Sequence, residues 1–434
     1  MNKFSLFLLT CSALLLHAQE PILNKEFYEK NDITVQDNGY WQWVNALNGC
    51  QTKPANNKTS ETQLPLFNHY QELRKIPHIS LCSLPTPVQE LSNTNDELKS
   101  SIFIKRDDLS GAKDVEGNHY YGGNKPRKLE FELGQALHNH AGTVITFGGV
   151  GSNHALATSE YAKILGLKCI ALLNSQPNSK NVQNNLLLHK KNETELFEYP
   201  DDQTRKVHTL TKWSDIKNNT GEFPYLIFPG ASTPLGTVGF VNAAFELKEQ
   251  IDKHLLPEPD YIYVPCGSFG TTIGLTLGCK AAGLKSHVVG ICVIPEKFPG
   301  MYKQYAQLFF KQVNDFIHTQ DQNFPVMELT DSDLTLRTEF TGSQYGLFTS
   351  QGQEALHLVK EKENITLDGT YTAKAFAALI NDIKSGNRAN KNILFWNTYC
   401  GLDFSNQTRE IDFTTLPVCL HKYFTNPVQP LDLD

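Results

Sequence analysis

Thr143-Val144-Ile145-Thr146-Phe147-Gly148-Gly149-Val150-Gly151-Ser152-Asn153-His154-Ala155 holds three kinds of local instruction in thirteen residues. The first five are β-branched or aromatic and read as a strand. The glycines that follow read as a sharp turn, and residues 153–165 fit a helix. Residues 168–173, with Cys169-Ile170-Ala171-Leu172 at their centre, read as the next strand. Outward from this unit the rhythm repeats. Strands are expected at 102–104, 225–228, 261–264, 287–293 and 392–396. Helices are expected at 128–138, 235–253, from Thr271 onward, at 351–362 and at 372–384. Alternation of this kind predicts an α/β fold with parallel sheets covered by helices on both faces. No repeat of solenoid spacing is found.

The chain has 434 residues, 40% apolar and 20% charged, values of a globular protein of about two domains. Lys plus Arg number 39 against 46 Asp plus Glu, a net charge of −7. Without a basic tract, a nucleic-acid partner is not expected. The nine cysteines form no Cys-x-x-Cys pair, so zinc-ribbon and thioredoxin-like readings fail. Most read as small buried hydrophobes; Cys50 leaves a disulfide open. Met1-Asn2-Lys3 begins the chain positively, residues 4–16 are mostly apolar, and His17-Ala18 precede a polar shift. This predicts a signal peptide over 1–18, hence an exported protein, periplasmic or secreted, with no membrane association after its removal. Residues 19–75 are polar and read as an extension that packs on the body or partly floats.

Ligands of open α/β sheets bind beyond the carboxyl ends of the strands. Two glycine-rich loops there open helices: Gly148 to His154, and Cys266-Gly267-Ser268-Phe269-Gly270-Thr271-Thr272. The second has hydroxyls and no lysine, which suits a phosphate monoester better than a nucleoside triphosphate. The first could pass for a dinucleotide turn, but the strand after it ends at Leu172-Leu173-Asn174, with no acid to hold a ribose. A third feature is Tyr121-Gly122-Gly123-Asn124-Lys125-Pro126-Arg127-Lys128. A lysine at a helix start opposes the helix dipole, so Lys125 is either solvated or held there for chemistry.

These features in this order resemble the pyridoxal-phosphate enzymes of the 1-aminocyclopropane-1-carboxylate deaminase and D-cysteine desulfhydrase family. The resemblance spans about residues 76–404. It rests on Lys105-Arg106-Asp107-Asp108-Leu109, Gly122-Gly123-Asn124-Lys125, Gly151-Ser152-Asn153-His154, Gly267-Ser268 with Gly270-Thr271, Gln344-Tyr345-Gly346 and Tyr371-Thr372-Ala373-Lys374. It implies a tryptophan-synthase-β-like fold (pyridoxal-phosphate fold type II). Two open twisted parallel-sheet domains would hold pyridoxal 5'-phosphate between them. The large cofactor-binding domain would be 76–132 with 236–434, the small inserted α/β domain 133–235, and the assembly a homodimer.

The resemblance also implies roles. Lys125 would form the Schiff base and carry a proton. Asn153 would hold the phenolic oxygen of the ring. Gly267, Ser268, Gly270, Thr271 and Thr272 would cradle the phosphate. Tyr345 and Tyr371 would face a small amino-acid substrate. Ser152 would touch the substrate carboxylate or relay a proton, or simply cap its helix. Thr372 stands where the deaminases place a Glu beside the ring nitrogen. A hydroxyl supplies no charge there, and a weaker electron sink favours β-elimination from D-cysteine over opening of a cyclopropane. The alternatives are a 1-aminocyclopropane-1-carboxylate deaminase and, from another class, a non-catalytic binder of the cofactor or of a metabolite. Three departures stand out: Phe269 inside the phosphate loop, extra residues at 111–121, and Asn397-Thr398-Tyr399-Cys400-Gly401 in place of His-Thr-Gly-Gly.

Overall fold

The structure, a computed structural model, describes residues 63–432 except 115, 116 and 118, together with Asn48. The signal peptide expected over 1–18 lies outside the described residues, as do Cys11 and Cys50. Two sheets organise the rest. A six-stranded sheet has the order β1-β2-β10-β7-β8-β9. Its strands are β1 Val88–Glu90, β2 Ser101–Lys105, β7 Tyr261–Cys266, β8 His287–Cys292, β9 Leu334–Arg337 and β10 Asn392–Trp396. Only β1 runs antiparallel among its pairings. A four-stranded parallel sheet has the order β5-β4-β3-β6, from β3 Thr143–Gly149, β4 Lys168–Asn174, β5 Glu195–Tyr199 and β6 Tyr225–Ile227. The longer helices are α1 Lys125–His138, α2 Asn153–Ile164, α3 Lys180–Lys191, α4 Asp202–Thr220, α5 Pro234–Asp252, α6 Gly270–Ala281, α7 Met301–Gln320, α8 Ser350–Glu363 and α9 Thr372–Lys384. Among the described residues, no helix is long and apolar enough to cross a membrane.

Strand alternation sends neighbouring residues to opposite cores. In the small sheet, Val144 packs with Leu129 and Leu133 of α1 and Leu156 of α2. Its neighbour Ile145 packs on the other face with Leu210 and Trp213 of α4. In the large sheet, Leu394 and Val288 face α5, α6 and α7 through Phe240, Ile273 and Phe309. Phe395 and Val289 face α8 and α9 through Ala355, Phe376 and Leu379. Burial on both faces is why the strands read as continuous apolar runs.

Leu64, Leu66, Phe67 and Leu73, within the extension expected over 19–75, pack on the body in the large core. The division that placed 236–434 wholly with the large domain shifts at its end. Leu416, Leu420 and Tyr423 pack with Val182, Leu186 and Leu196 beside the small sheet. Apolar burial at these sites outweighs the order of the chain. Asn48 pairs with the edge strand β6, donating from Nδ2 to the Leu226 carbonyl (3.2 Å) and accepting its N–H at Oδ1 (2.9 Å).

Candidate active site

The strand ends of both sheets converge on one cavity of about 1100 Å³. Lys125 lies in its wall as the first residue of α1, with Pro126 behind it. The turn before it is clamped on two sides. Gly123 has φ +83, and a Cβ there would stand 2.6 Å from the Thr398 carbonyl oxygen. Its N–H donates to the Asp107 carbonyl (2.8 Å), and Asn124 N–H donates to the Thr398 carbonyl (3.0 Å). Lys125 Nζ donates to Asn124 Oδ1 at 2.7 Å and lies 6.0 Å from the centre of the Tyr371 ring. Burial lowers its pKa to about 8, against the opposing pull of Asp368. At neutral pH a part of this amine is therefore free to act as base or nucleophile.

Lys105 and Asp107 of the Lys-Arg-Asp-Asp-Leu motif act from beneath. Asp107 accepts from Arg127 (2.8 and 3.0 Å), from Trp396 Nε1 (2.7 Å) and from the Thr86 hydroxyl (2.8 Å). Arg127 also reaches Glu246 at 2.9 and 3.0 Å, and Lys105 Nζ donates to the same carboxylate at 2.5 Å. Arg127 is two residues past Lys125, so this buried network fixes the start of α1.

The phosphate-loop residues Gly267, Ser268, Thr271 and Thr272 line the cavity. The Thr272 hydroxyl is buried and has no hydrogen-bond partner among the described residues, an acceptor-seeking group inside a helix N-terminus. Thr271 Oγ1 accepts from Asn124 Nδ2 (2.8 Å), which ties the loop to the lysine turn. Gly270 does not line the cavity; its N–H is shared between the Ser268 carbonyl (2.9 Å) and Ser232 Oγ (3.3 Å), and a Cβ there would stand 2.5 Å from that hydroxyl oxygen. Ser232 itself bonds Ser268 Oγ at 2.7 Å, and Lys128 Nζ reaches Ser232 at 3.3 Å. Burial, and Lys125 beside it, push the Lys128 pKa well down. Ser232 carried no signal in the sequence, because it lies 36 residues from Ser268, the loop residue it meets. Phe269 takes φ 66 with its ring against Tyr302 and Tyr305, so the aromatic occupies the left-handed region and is held there by packing.

Across the cavity, Ser152 caps α2, its Oγ accepting from Ala155 N–H (3.2 Å) while the residue still lines the wall. Asn153 Oδ1 accepts from Asn185 (3.1 Å) and Asn181 (3.4 Å), and the Tyr399 hydroxyl donates to Asn181 Oδ1 (3.2 Å). The hydroxyls of Tyr345 and Tyr371 meet at 2.5 Å. Burial raises Tyr345 to about 12 and Tyr371 well above its usual value, so both phenols stay protonated. Thr372 departs from expectation. It does not line the cavity, and its hydroxyl donates to Asp368 Oδ1 (2.7 Å) while accepting the Asp368 N–H (2.7 Å). The wall position belongs to Asp368, whose carboxylate also accepts from the Tyr371 and Thr372 N–H groups (both 3.0 Å). Asp368 escaped the sequence reading because a lone Asp four residues before a helix reads as turn chemistry.

The profile of the family described as "Pyridoxal-phosphate dependent enzyme" matches residues 79–398. The chain belongs to this family. It is 33% identical over 334 residues to a Pyrococcus horikoshii protein provisionally named 1-aminocyclopropane-1-carboxylate deaminase, covering 75% of this chain and 92% of that one. It is 32% identical over 318 residues to the D-cysteine desulfhydrase of Klebsiella pneumoniae, covering 72% and 90%. The crystal structure of an ACC deaminase homologue superposes with a TM-score of 0.65 at 30% identity, over 80% of this chain and 99% of that one. The fold is therefore that of the fold type II pyridoxal-phosphate enzymes, and the cofactor of this family is pyridoxal phosphate.

The residues present fit that cofactor. The orphaned Thr272 hydroxyl and the Ser268–Ser232 pair, with Lys128 behind them, suit a phosphate at the N-terminus of α6. Lys125 stands at the opposite end of the Asn124 bridge from Thr271, and is the amine that would hold the cofactor's aldehyde carbon. Asn153 faces from the small-domain side.

Proposed function

We propose that the chain is a β-eliminating lyase for a small amino acid with a thiolate leaving group, D-cysteine first, releasing pyruvate, ammonia and sulfide. The similarity to a D-cysteine desulfhydrase supports this reading. The observation that carries it is the start of α9. The residue there is Thr372, a neutral group, and the one carboxylate beside it, Asp368, gives its oxygens to the Tyr371 and Thr372 N–H groups and the Thr372 hydroxyl. Its charge is spent on the helix N-terminus. A carboxylate at 372 would face Asp368 directly, like charge against like. Asp368 lines the wall, but its carboxylate is already taken up by these three donors, so it acts on a bound ring only weakly, which suits a substrate whose leaving group departs readily.

The bound cofactor supplies an electron sink for the α-carbon. The chain's own residues do the rest. Lys125 Nζ accepts the α-proton, helped by its pKa near 8 and oriented by Asn124. The Tyr345–Tyr371 pair keeps its protons, and one phenol hydrogen bonds the departing sulfur. The Cβ–S bond breaks with its electron pair on sulfur, and water hydrolyses the enamine to pyruvate and ammonia.

The test is a panel of amino acids of both hands, together with 1-aminocyclopropane-1-carboxylate, scored for sulfide, keto acid and ammonia. Sulfide and pyruvate in equal amounts from D-cysteine are expected. Turnover of the cyclopropane without turnover of D-cysteine would overturn the proposal. The same reading makes the protein an exported homodimer, supported by the apolar run at residues 4–16 and by the family resemblance. N-terminal sequencing should then start near Gln19, and light scattering should give twice the chain mass. A soluble cytoplasmic chain that retains residues 4–16 would end the export proposal, and a monomer would end the dimer.

A further inference from the structure

The C-terminal tail lies beyond the residues that the family profile matches, yet it returns to loops that line the cavity. Its body is fixed to the small domain. Leu416, Leu420 and Tyr423 are buried against α3 and β5 residues, and the Tyr423 hydroxyl donates to Glu198 (2.6 Å). Asn178, in the loop after β4, holds the tail from the other side, its Nδ2 donating to the carbonyls of Tyr423 (2.9 Å) and Asn426 (3.0 Å). Three residues later the chain changes partner. Gln429 N–H donates to the Asn178 carbonyl (3.0 Å), while its side chain turns to the large domain. There Nε2 donates to the Gly346 carbonyl (3.1 Å), and Oε1 accepts the Phe348 N–H (2.7 Å).

Gly346 is the residue after Tyr345. The loop is pressed against the small domain at this point. Gly346 has φ +84, and a Cβ there would stand 3.2 Å from Pro177. A Cβ on Gly149 would come 3.6 Å from the Tyr345 ring. Gln429 is 8% exposed, so both side-chain bonds are sheltered from water and its amide satisfies backbone groups as a strand partner would. The tail thus spans the cleft from the loop holding Gln176 and Pro177 to the loop holding Tyr345, both of which line the cavity.

We infer that Gln429 is a positioning residue for Tyr345, and that the C-terminal tail sets the position of that phenol over the cavity. The inference rests on Tyr345 facing the substrate, as the proposed function has it. Loss of the amide frees the Gly346 carbonyl and the Phe348 N–H together, and the loop loses its tie to the small domain. The phenol then samples positions from which it no longer meets both Tyr371 and the substrate.

The experiment uses the cofactor-loaded full chain. In Gln429→Ala, amide hydrogen exchange in the 346–348 segment should quicken at least about tenfold. kcat for D-cysteine should fall roughly tenfold, with cofactor content and thermal midpoint held. Gln429→Glu, which keeps the acceptor for Phe348 and loses the donor to Gly346, should fall between the two. In a Tyr345→Phe background, Gln429→Ala should cost less than about twofold more, because both changes act through one hydroxyl. Unchanged exchange at 346–348 would overturn the inference, and so would a full tenfold loss in the Tyr345→Phe background. Should the wild-type chain turn over no amino acid, the proposed function fails, and the exchange result alone decides whether Gln429 positions the loop.

Discussion

Lys125 combines three conditions that a lysine at a helix start rarely meets together. It is buried, it is held by a neighbouring amide, and it faces an aromatic ring. Lys125→Ala should abolish the visible band that borohydride fixes covalently, while the phosphate still binds weakly. A variant that keeps a borohydride-fixable band would move the role to Lys128. With a pKa near 8, the free-amine fraction rises from about a tenth at pH 7 to about three quarters at pH 8.5. Covalent loading of apoprotein should therefore accelerate several-fold over that interval, followed by absorbance after stopped-flow mixing. Phe269 sets two effects against each other. Its left-handed backbone costs about 1–2 kcal/mol, whereas removing a buried Phe ring costs about 3–5 kcal/mol. Packing wins, so Phe269→Gly should lower the unfolding free energy measured by urea denaturation by a net of about 2–3 kcal/mol, although glycine is the easier residue for the turn.

Among elements, α1 is the one that the site depends on, and it is held by charge from below. Burial alone would raise the Glu246 carboxyl, but Arg127 and Lys105 hold it down to about 2. Its ordinary value is 4.5, so the stabilisation is complete above about pH 4.5 and is lost as pH falls towards 2. The amount is on the order of 3 kcal/mol. Glu246→Gln should flatten the acid limb of a stability–pH profile between those values. At neutral pH it should cost about 3–5 kcal/mol, since Arg127 and Lys105 lose their shared partner in a buried place. Chemical denaturation at half-unit pH steps checks both statements. The element boundaries themselves were readable: α9 and β10 fall where periodicity puts them, and α1 starts three residues earlier than its apolar pattern, with Pro126 in its first turn. The region between β4 and β6 was less readable. Helices α3 and α4 are polar on most of their surface, so apolar periodicity is faint there.

On the scale of the whole molecule, the small sheet is finished by residues more than two hundred positions away. Leu420 is fully buried among residues from α3 and β5. Leu420→Ala should destabilise that domain by about 2–5 kcal/mol and open the bond after Lys422 to trypsin, while the large sheet keeps its exchange protection. Uniform loss of protection over both sheets would show that the domains do not unfold separately. The sequence by itself determined the alternation of strands and helices, the two glycine loops and the Gly-Gly-Asn-Lys turn. Each is written in consecutive residues whose backbone demands are local. Only the tertiary structure decided that Asp368 rather than Thr372 lines the cavity, that Ser232 meets Ser268 of the second glycine loop, and that Gln429 reaches Gly346. These partners are set by burial and by the pairing of polar groups across the fold. Neither leaves a periodic or compositional mark on the stretch of chain in which the residue stands.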